Sequence, residues 1–219
     1  MKIDLNVGQP SRAPLQGRSK ASFERMVEAA TRLLIECGSD EFTIADVSKA
    51  GQVSIGSIYG RFDSKDDLIR AVQGRAMALV DSEMSQGLAD ASARAGSLAE
   101  LVQNLIETMA EVLKRHASIL QPLMLKATSD EVIATVGRRS YMATEQQFRA
   151  TLLSRADEMR HADTDRAARS VFRIAYATLA RYLGFGSSTS AAWEGDWQVL
   201  KEDLAAMSSA FLLRGTPDA

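Results

Sequence analysis

The 219-residue chain is predicted to be all-α. Three observations carry that expectation. Apolar residues recur at three- and four-residue spacing from Ser19 to Leu213, capping residues stand ahead of most of these runs, and no stretch alternates as a strand does. The four prolines are placed outside helices or at their edges, and no fixed-period repeat is present.

The elements follow in order. Residues 1–18, with Gly8, Pro10, Pro14 and Gly17 and no apolar period, read as a flexible basic arm. From Ser19 a helix carries Phe23, Met26, Val27, Ala30, Leu33 and Leu34 and stops at Gly38. Thr43 and Asp46 have capping-box spacing and open a second helix through Ala50. Gly51-Gln52-Val53 makes a tight connection, and Ser54 caps a short third helix reaching about Tyr59. Ser64 and Asp67 repeat the capping-box spacing and open a much longer helix.

Gly96-Ser97 separates that helix from an amphipathic one carrying Leu98, Leu101, Leu105, Met109, Val112 and Leu113 on its apolar side. Pro122 is expected to interrupt a short segment, and Asp130 begins a helix to about Arg155. Asp163 or Thr164 caps a helix ending near Gly184. A Gly/Ser-rich loop to Gly195 then precedes a last helix over about 196–213.

Composition sets the class. Hydrophobic residues at 46% and charged residues at 25% describe an ordinary globular chain able to build a core without disulfides. Cys37 has no partner for an intrachain disulfide. It reads as a buried small hydrophobe rather than a redox sensor. The N-terminus lacks the apolar run of a signal peptide, and no window approaches about 18 apolar residues. The expectation is a soluble, cytoplasmic protein.

A net charge of −2 leaves nucleic-acid binding open, because a local basic footprint decides it. Residues 1–18 carry Lys2, Arg12 and Arg18 against Asp4, and 43–62 carry Lys49 and Arg61 against Asp46, so both are mildly basic. Arg12, Arg18 and Lys20 have a minor-groove or phosphate role and a solvated tail as equal readings.

The residues around the tight connection say more. The run Thr43-Ile44-Ala45-Asp46-Val47, then Val53-Ser54-Ile55-Gly56-Ser57-Ile58-Tyr59-Gly60-Arg61-Phe62, then Lys65 and Leu68, resembles the signature of the TetR/AcrR-like family of transcriptional regulators. That signature has a Thr opening the second helix. It continues with Val-Ser-x-Gly-x-[Leu/Ile]-Tyr-x-x-Phe and then x-x-Lys-x-x-Leu. The resemblance covers residues 18–68, and Ala29, Ala30 and Gly38 fit the first helix. It implies an N-terminal helix-turn-helix unit over 19–68 and a C-terminal helical ligand-binding and dimerisation domain over 69–219.

The chemistry suits those positions. Thr43 and Ser54 stand at helix N-termini, which offer N–H groups to phosphate. Gly56 lets the recognition helix approach the major groove, Ile55 suits a thymine methyl, and Ser57 can bond either base type. Tyr59 is placed to donate to a phosphate and Lys65 to hold the opposite strand's backbone. One departure is informative. The family's usual Ala-Gly at the turn is Gly51-Gln52 here. Either Gln52 takes the left-handed conformation, at about 1–2 kcal/mol, or Gly51 bends and the turn is re-set by one residue.

The resemblance also implies a homodimer formed by the last two helices. Ala167, Val171, Ile174, Thr178, Leu204, Met207 and Phe211 are the candidate interface. A pocket for a small, largely apolar effector is implied in the same way. Met109, Leu113, Met124, Phe148, Leu152, Phe172 and Tyr176 are its candidate lining, with ordinary core packing the competing reading for each. The expected partners are thus double-stranded operator DNA, an effector and a second copy of the chain. The expected function is that of a repressor released by its effector.

Competing classes are weaker. Glu158-x-x-His161 has the spacing of a carboxylate-bridged metal bundle, but such a site needs the motif twice, and His116 has Glu111 at the wrong spacing. His116 reads as a helix C-cap. No metal, cofactor or catalytic group is expected. A helical adaptor without DNA binding, or an activator of the same fold, is the alternative.

Overall fold

The computed structural model describes residues 17–185 and 195–214, with side chains from residue 20. The expected arm up to residue 16 and most of the Gly/Ser-rich loop lie outside the described residues. Among the described residues every regular element is helical. They are α1 (Gly17–Cys37), α2 (Ile44–Gly51), α3 (Ile55–Tyr59), α4 (Lys65–Arg94) and α5 (Leu98–Arg115), then α6 (Ala117–Lys126), α7 (Glu131–Leu153), a 3₁₀ turn (Ala156–Glu158), α8 (Thr164–Tyr182) and α9 (Trp197–Arg214).

The caps fall where the side chains foretell. Thr43 closes a full capping box with Asp46, and Ser54, Ser97 and Asp163 each accept a backbone N–H three residues on. His116 is the C-cap of α5, and its Nε2 lies 3.1 Å from Glu83 Oε2. Two expectations are corrected. Pro122 lies inside α6 rather than interrupting it. As the sixth residue of that helix it forfeits one bond, to Ser118, just past the first turn, while burial of Ile119, Leu120 and Leu123 holds the helix together. Cys37 is exposed, not buried. It ends α1 on the stripe of Ala30 and Leu34 but past the last buried residue of the helix, beside exposed Ile35 and Glu36.

The chain forms two compact units. The first comprises residues up to Leu79 together with Ser118–Arg138. Its core joins Met26, Ala30 and Leu34 of α1, Val47 of α2, Ile58 of α3 and Leu68, Ile69 and Val72 of α4. Ile119 and Leu123 of α6 and Ile133 of α7 complete it. Gln73 donates from Nε2 to the Ile133 carbonyl at 2.8 Å, and Arg70 pairs with the nearly buried Asp130 at 3.0 Å. Burial pushes the Asp130 carboxyl up, but the Ile133 N–H and the Arg70 guanidinium outweigh it and hold the group below its ordinary value.

The second unit comprises Val80–Ala117 and Arg139 onward. Leu88, Leu98, Leu101, Leu105 and Met109 meet Phe148, Leu152, Phe172, Leu179, Leu204 and Leu212 in its buried set. Gly87 on α4 must be small, because a Cβ there would lie 2.5 Å from Thr108 Cγ2. The α9 helix is fastened to α5 by Lys201, whose ammonium reaches Glu107 at 2.8 Å and Glu111 at 2.7 Å. Trp197 Nε1 adds a bond to Glu111 at 2.8 Å.

Candidate nucleic-acid interface

The interface is built on α2, the turn and α3. Thr43 is the N-cap of α2. Its N–H and hydroxyl both donate to Asp46 Oδ2, at 2.8 and 2.6 Å, and its hydroxyl accepts from the Asp46 N–H at 3.2 Å. These bonds hold the Asp46 carboxyl below its ordinary value, with the Thr43 hydroxyl the main cause. Ser48 closes the turn by donating its hydroxyl to the Val53 carbonyl at 2.6 Å.

The turn itself settles the open alternative. Gln52 has φ 50 and ψ 46, the left-handed conformation, while Gly51 stays helical as the last residue of α2. Gly51 is glycine for a packing reason: a Cβ there would sit 3.0 Å from the Arg25 carbonyl oxygen and 3.2 Å from Ala29 Cβ. The chain thus uses its glycine to bring α2 against α1 and accepts strain one residue later.

α3 turns Ile58 inward and presents the rest. Ile55 is 45% exposed and Tyr59 is 54% exposed, one helical turn apart on the same face. Gly56 lies between them in sequence, and a Cβ there would meet nothing within 4 Å. Ser54 and Ser57 are exposed, with their hydroxyl oxygens 2.7 Å apart. Six of the seven expected DNA-facing residues, Thr43, Ser54, Ile55, Gly56, Ser57 and Tyr59, are therefore open to solvent on two adjacent short helices.

Lys65 is placed differently. Its ammonium donates to the Asp40 carbonyl at 2.6 Å and the Phe42 carbonyl at 3.2 Å, and lies over the Phe42 ring. In this structure it caps the turn between α1 and α2 instead of pointing free into solvent. The spacing identified the residue but not this use, because Asp40 and Phe42 are about 25 positions upstream. Lys126, which also reaches Asp40, was not singled out by any pattern in the sequence.

Residues 26–72 match the family model of bacterial regulatory proteins, tetR family. That segment, from α1 into α4, is TetR-like. Solved structures agree on the fold. A Mesorhizobium loti protein assigned to the TetR-family transcriptional regulators aligns over 90% of this chain and 97% of its own, at 16% identity and TM-score 0.70. A transcriptional regulator of the TerR/AcrR family from Aquifex aeolicus aligns over 87% and 99%, at 17% identity and TM-score 0.61. The fatty acid degradation regulator FadR of Bacillus halodurans aligns over 87% and 99%, at 15% identity and TM-score 0.59. No curated protein matches the chain in sequence. The fold over the aligned residues is thus the one these proteins share.

The remaining candidates divide by burial. Met109, Leu113, Phe148, Leu152 and Phe172 are buried in the second unit. Tyr176 stands against Tyr141 with ring centroids 4.8 Å apart, and burial pushes its hydroxyl up to about 12, so it stays neutral at physiological pH. Met124 belongs to the first unit. Of the dimer candidates, Ala167, Val171 and Leu204 face the chain's own core, because they lie on the inward sides of α8 and α9. Ile174 and Met207 are 62% and 61% exposed, and Thr178 and Phe211 are half-buried. Glu158 and His161 are engaged apart: Glu158 accepts from the Leu98 N–H at 2.7 Å, and His161 Nε2 lies 2.6 Å from the Phe211 carbonyl.

Proposed function

We propose that the protein is a homodimeric, cytoplasmic transcriptional repressor that leaves its operator when a small, largely apolar molecule enters the second unit. The exposed face of α3 carries the reading. A five-residue helix leaves an isoleucine and a tyrosine about half in water, with an open glycine between them. Such exposure loses apolar burial in the free protein and serves a helix that enters a groove. Ile55 and Ser57 meet base edges, Tyr59 and the N-termini at Thr43 and Ser54 meet phosphates, and Gly56 allows the approach.

The second copy docks on α8 and α9 through Ile174 and Met207, the most exposed large apolar side chains of those two helices, with Val199 of α9 also in water. The effector lodges among Met109, Leu113, Phe148, Leu152, Phe172 and Tyr176, with Met124 as the candidate outside that unit. It changes the spacing of the two recognition helices through α4, whose residues are shared between the units. A coupling of about 1–3 kcal/mol gives roughly 5–150-fold release, and operator must weaken effector binding by the same factor.

Selection of bound sites from random DNA tests the first step. It is expected to return two half-sites spaced by about one helical turn or a multiple. Recovery of no preferred sequence, or sites without two-fold symmetry, would overturn the reading. Ile174→Glu together with Met207→Glu is expected to give monomers in sedimentation. A wild-type protein already monomeric at micromolar concentration refutes the dimer.

A further inference from the structure

A knot of charge in the first unit lies off the DNA-facing residues yet holds the turn that presents them. Asp40 sits between α1 and α2, three residues before the cap of α2. Lys126, the last residue of α6, places its ammonium 2.8 Å from Asp40 Oδ2 and 2.9 Å from Asp66 Oδ1, with only 14% of its side chain exposed. Lys65 takes the Asp40 and Phe42 carbonyls from the other side and lies 3.8 Å from Asp40 Oδ2. Two cations thus fasten one five-residue turn, residues 38–42, and Thr43, the first DNA-facing residue, comes next.

The geometry has a direction. Asp66 is in the first turn of α4, and Asp40 leads into α2, so a single ammonium ties α2's approach to α4's start. Its two bonds to carboxylates are charge-assisted, the stronger kind. They push the Lys126 ammonium above its ordinary value, and Lys126 in turn holds the Asp40 carboxyl below its own. α6 is itself held in the first unit by Ile119 and Leu123, so the ammonium is presented from a packed element rather than a loose tail. Two of its three ammonium hydrogens are committed to these carboxylates, and little of the side chain reaches solvent.

We propose that Lys126, more than fifty residues beyond the helix-turn-helix, is a positioning residue for operator binding that acts on the DNA face only through Asp40 and Asp66. The proposal rests on the reading of the protein as a DNA-binding regulator. Removing the ammonium frees the α1–α2 turn and lets α2 and α3 shift against α4. Affinity then falls without the loss of any DNA contact.

The test uses the full chain and a site obtained by random-site selection, with binding followed by fluorescence anisotropy over a range of salt. Lys126→Met is expected to bind about 3- to 30-fold more weakly, with the log–log salt slope unchanged. Lys126→Arg, which can still span both carboxylates, is expected to recover most of that loss. Asp40→Asn removes one arm of the knot and carries the test if Lys126→Met does not fold. The double variant is expected to be no weaker than the worse single variant. Arg75→Gln breaks an ion pair with Glu24 elsewhere in the same unit and is expected to bind as the wild type does.

Three results overturn the proposal while the regulator reading stands. One is a folded Lys126→Met protein with wild-type affinity. Another is a loss accompanied by a slope reduced by about 0.9, which marks a direct phosphate contact. The third is an equal loss in Arg75→Gln, which marks general destabilisation. Failure of the wild type to select any DNA removes the regulator reading itself, and this proposal with it.

Discussion

Gln52 is the one non-glycine residue with positive φ among the described residues, and relieving it has a calculable effect. A left-handed conformation costs a residue with a Cβ about 1–2 kcal/mol. Gln52→Gly removes that cost but adds unfolded-chain entropy of about 0.5–1 kcal/mol. The exposed Gln52 side chain gives up little packing. The net expectation is a first unit more stable by about 0.5–1 kcal/mol. The chain has two units, so a single unfolding curve is a poor assay. Hydrogen exchange at the amides of Val53 and Ile58, which bond the Ser48 and Ser54 carbonyls, reads the turn directly. Exchange there is expected to slow about 2- to 5-fold. Gly51→Ala is expected to act oppositely, since its Cβ would press on the Arg25 carbonyl oxygen at 3.0 Å. Faster exchange in Gln52→Gly would refute the strain argument. Unchanged exchange in Gly51→Ala would instead refute the packing argument, showing that α1 yields to the added methyl group.

Gly56→Ala is expected to leave the fold intact, because its Cβ meets nothing within 4 Å, yet to weaken operator binding about tenfold or more. Melting and anisotropy measured together separate the two effects, and unchanged binding refutes close approach at Gly56. Gly87→Ala is expected to destabilise the second unit by about 1–3 kcal/mol, because Thr108 is branched at Cβ and cannot swing clear. Hydrogen exchange at the amides of α5 no faster than in the wild type refutes it. In acid, Asp40, Asp130 and Glu111 have carboxyls held below their ordinary values, so their stabilisation is present above the unfolded pKa and is lost as pH falls through the folded one. Lys126 and Lys201 are raised above 10.5, so their share persists below that value and is lost as pH rises through the folded one. Stability against pH is therefore expected to be flat near neutrality and to fall in strong acid and strong base. Hydrogen-exchange protection that falls in either unit between pH 6 and 8, after correction for the intrinsic pH dependence of exchange, contradicts it.

The helix-turn-helix was legible because its signals are local. Thr43 and Asp46, Ser54 and Ser57, and Ser64 and Asp67 are each three residues apart, and their caps all form. Gln52 illustrates the limit. The departure from Ala-Gly was visible in the sequence, but the choice between Gly51 and Gln52 depended on the Arg25 carbonyl, about 26 positions away. Cys37 and Pro122 failed for the same reason. How far along α1 the core reaches, and whether α6 tolerates a proline, are decided by packing that propensity does not record. Among the dimer candidates, periodicity named the apolar stripes of α8 and α9. It could not separate Val171, turned to the chain's own core, from Ile174, left in water.

The same contrast bears on where a DNA-binding unit of this kind ends. α2 has eight residues and α3 five, too few to hold helical structure in water without tertiary support. Their inward residues, Val47 and Ile58, share a core with Ile119, Leu123 and Ile133, far downstream. Polar links run in the same direction: Arg70 to Asp130, Gln73 to the Ile133 carbonyl, and Asp40 and Asp66 to Lys126. The residues that touch DNA in the proposed function can therefore be confined to 43–59, while the residues that hold them in place cannot. A change in the 118–138 segment bears on α2 and α3 through the same core and ion pairs that hold them, which gives that segment leverage over the DNA face without any contact to DNA.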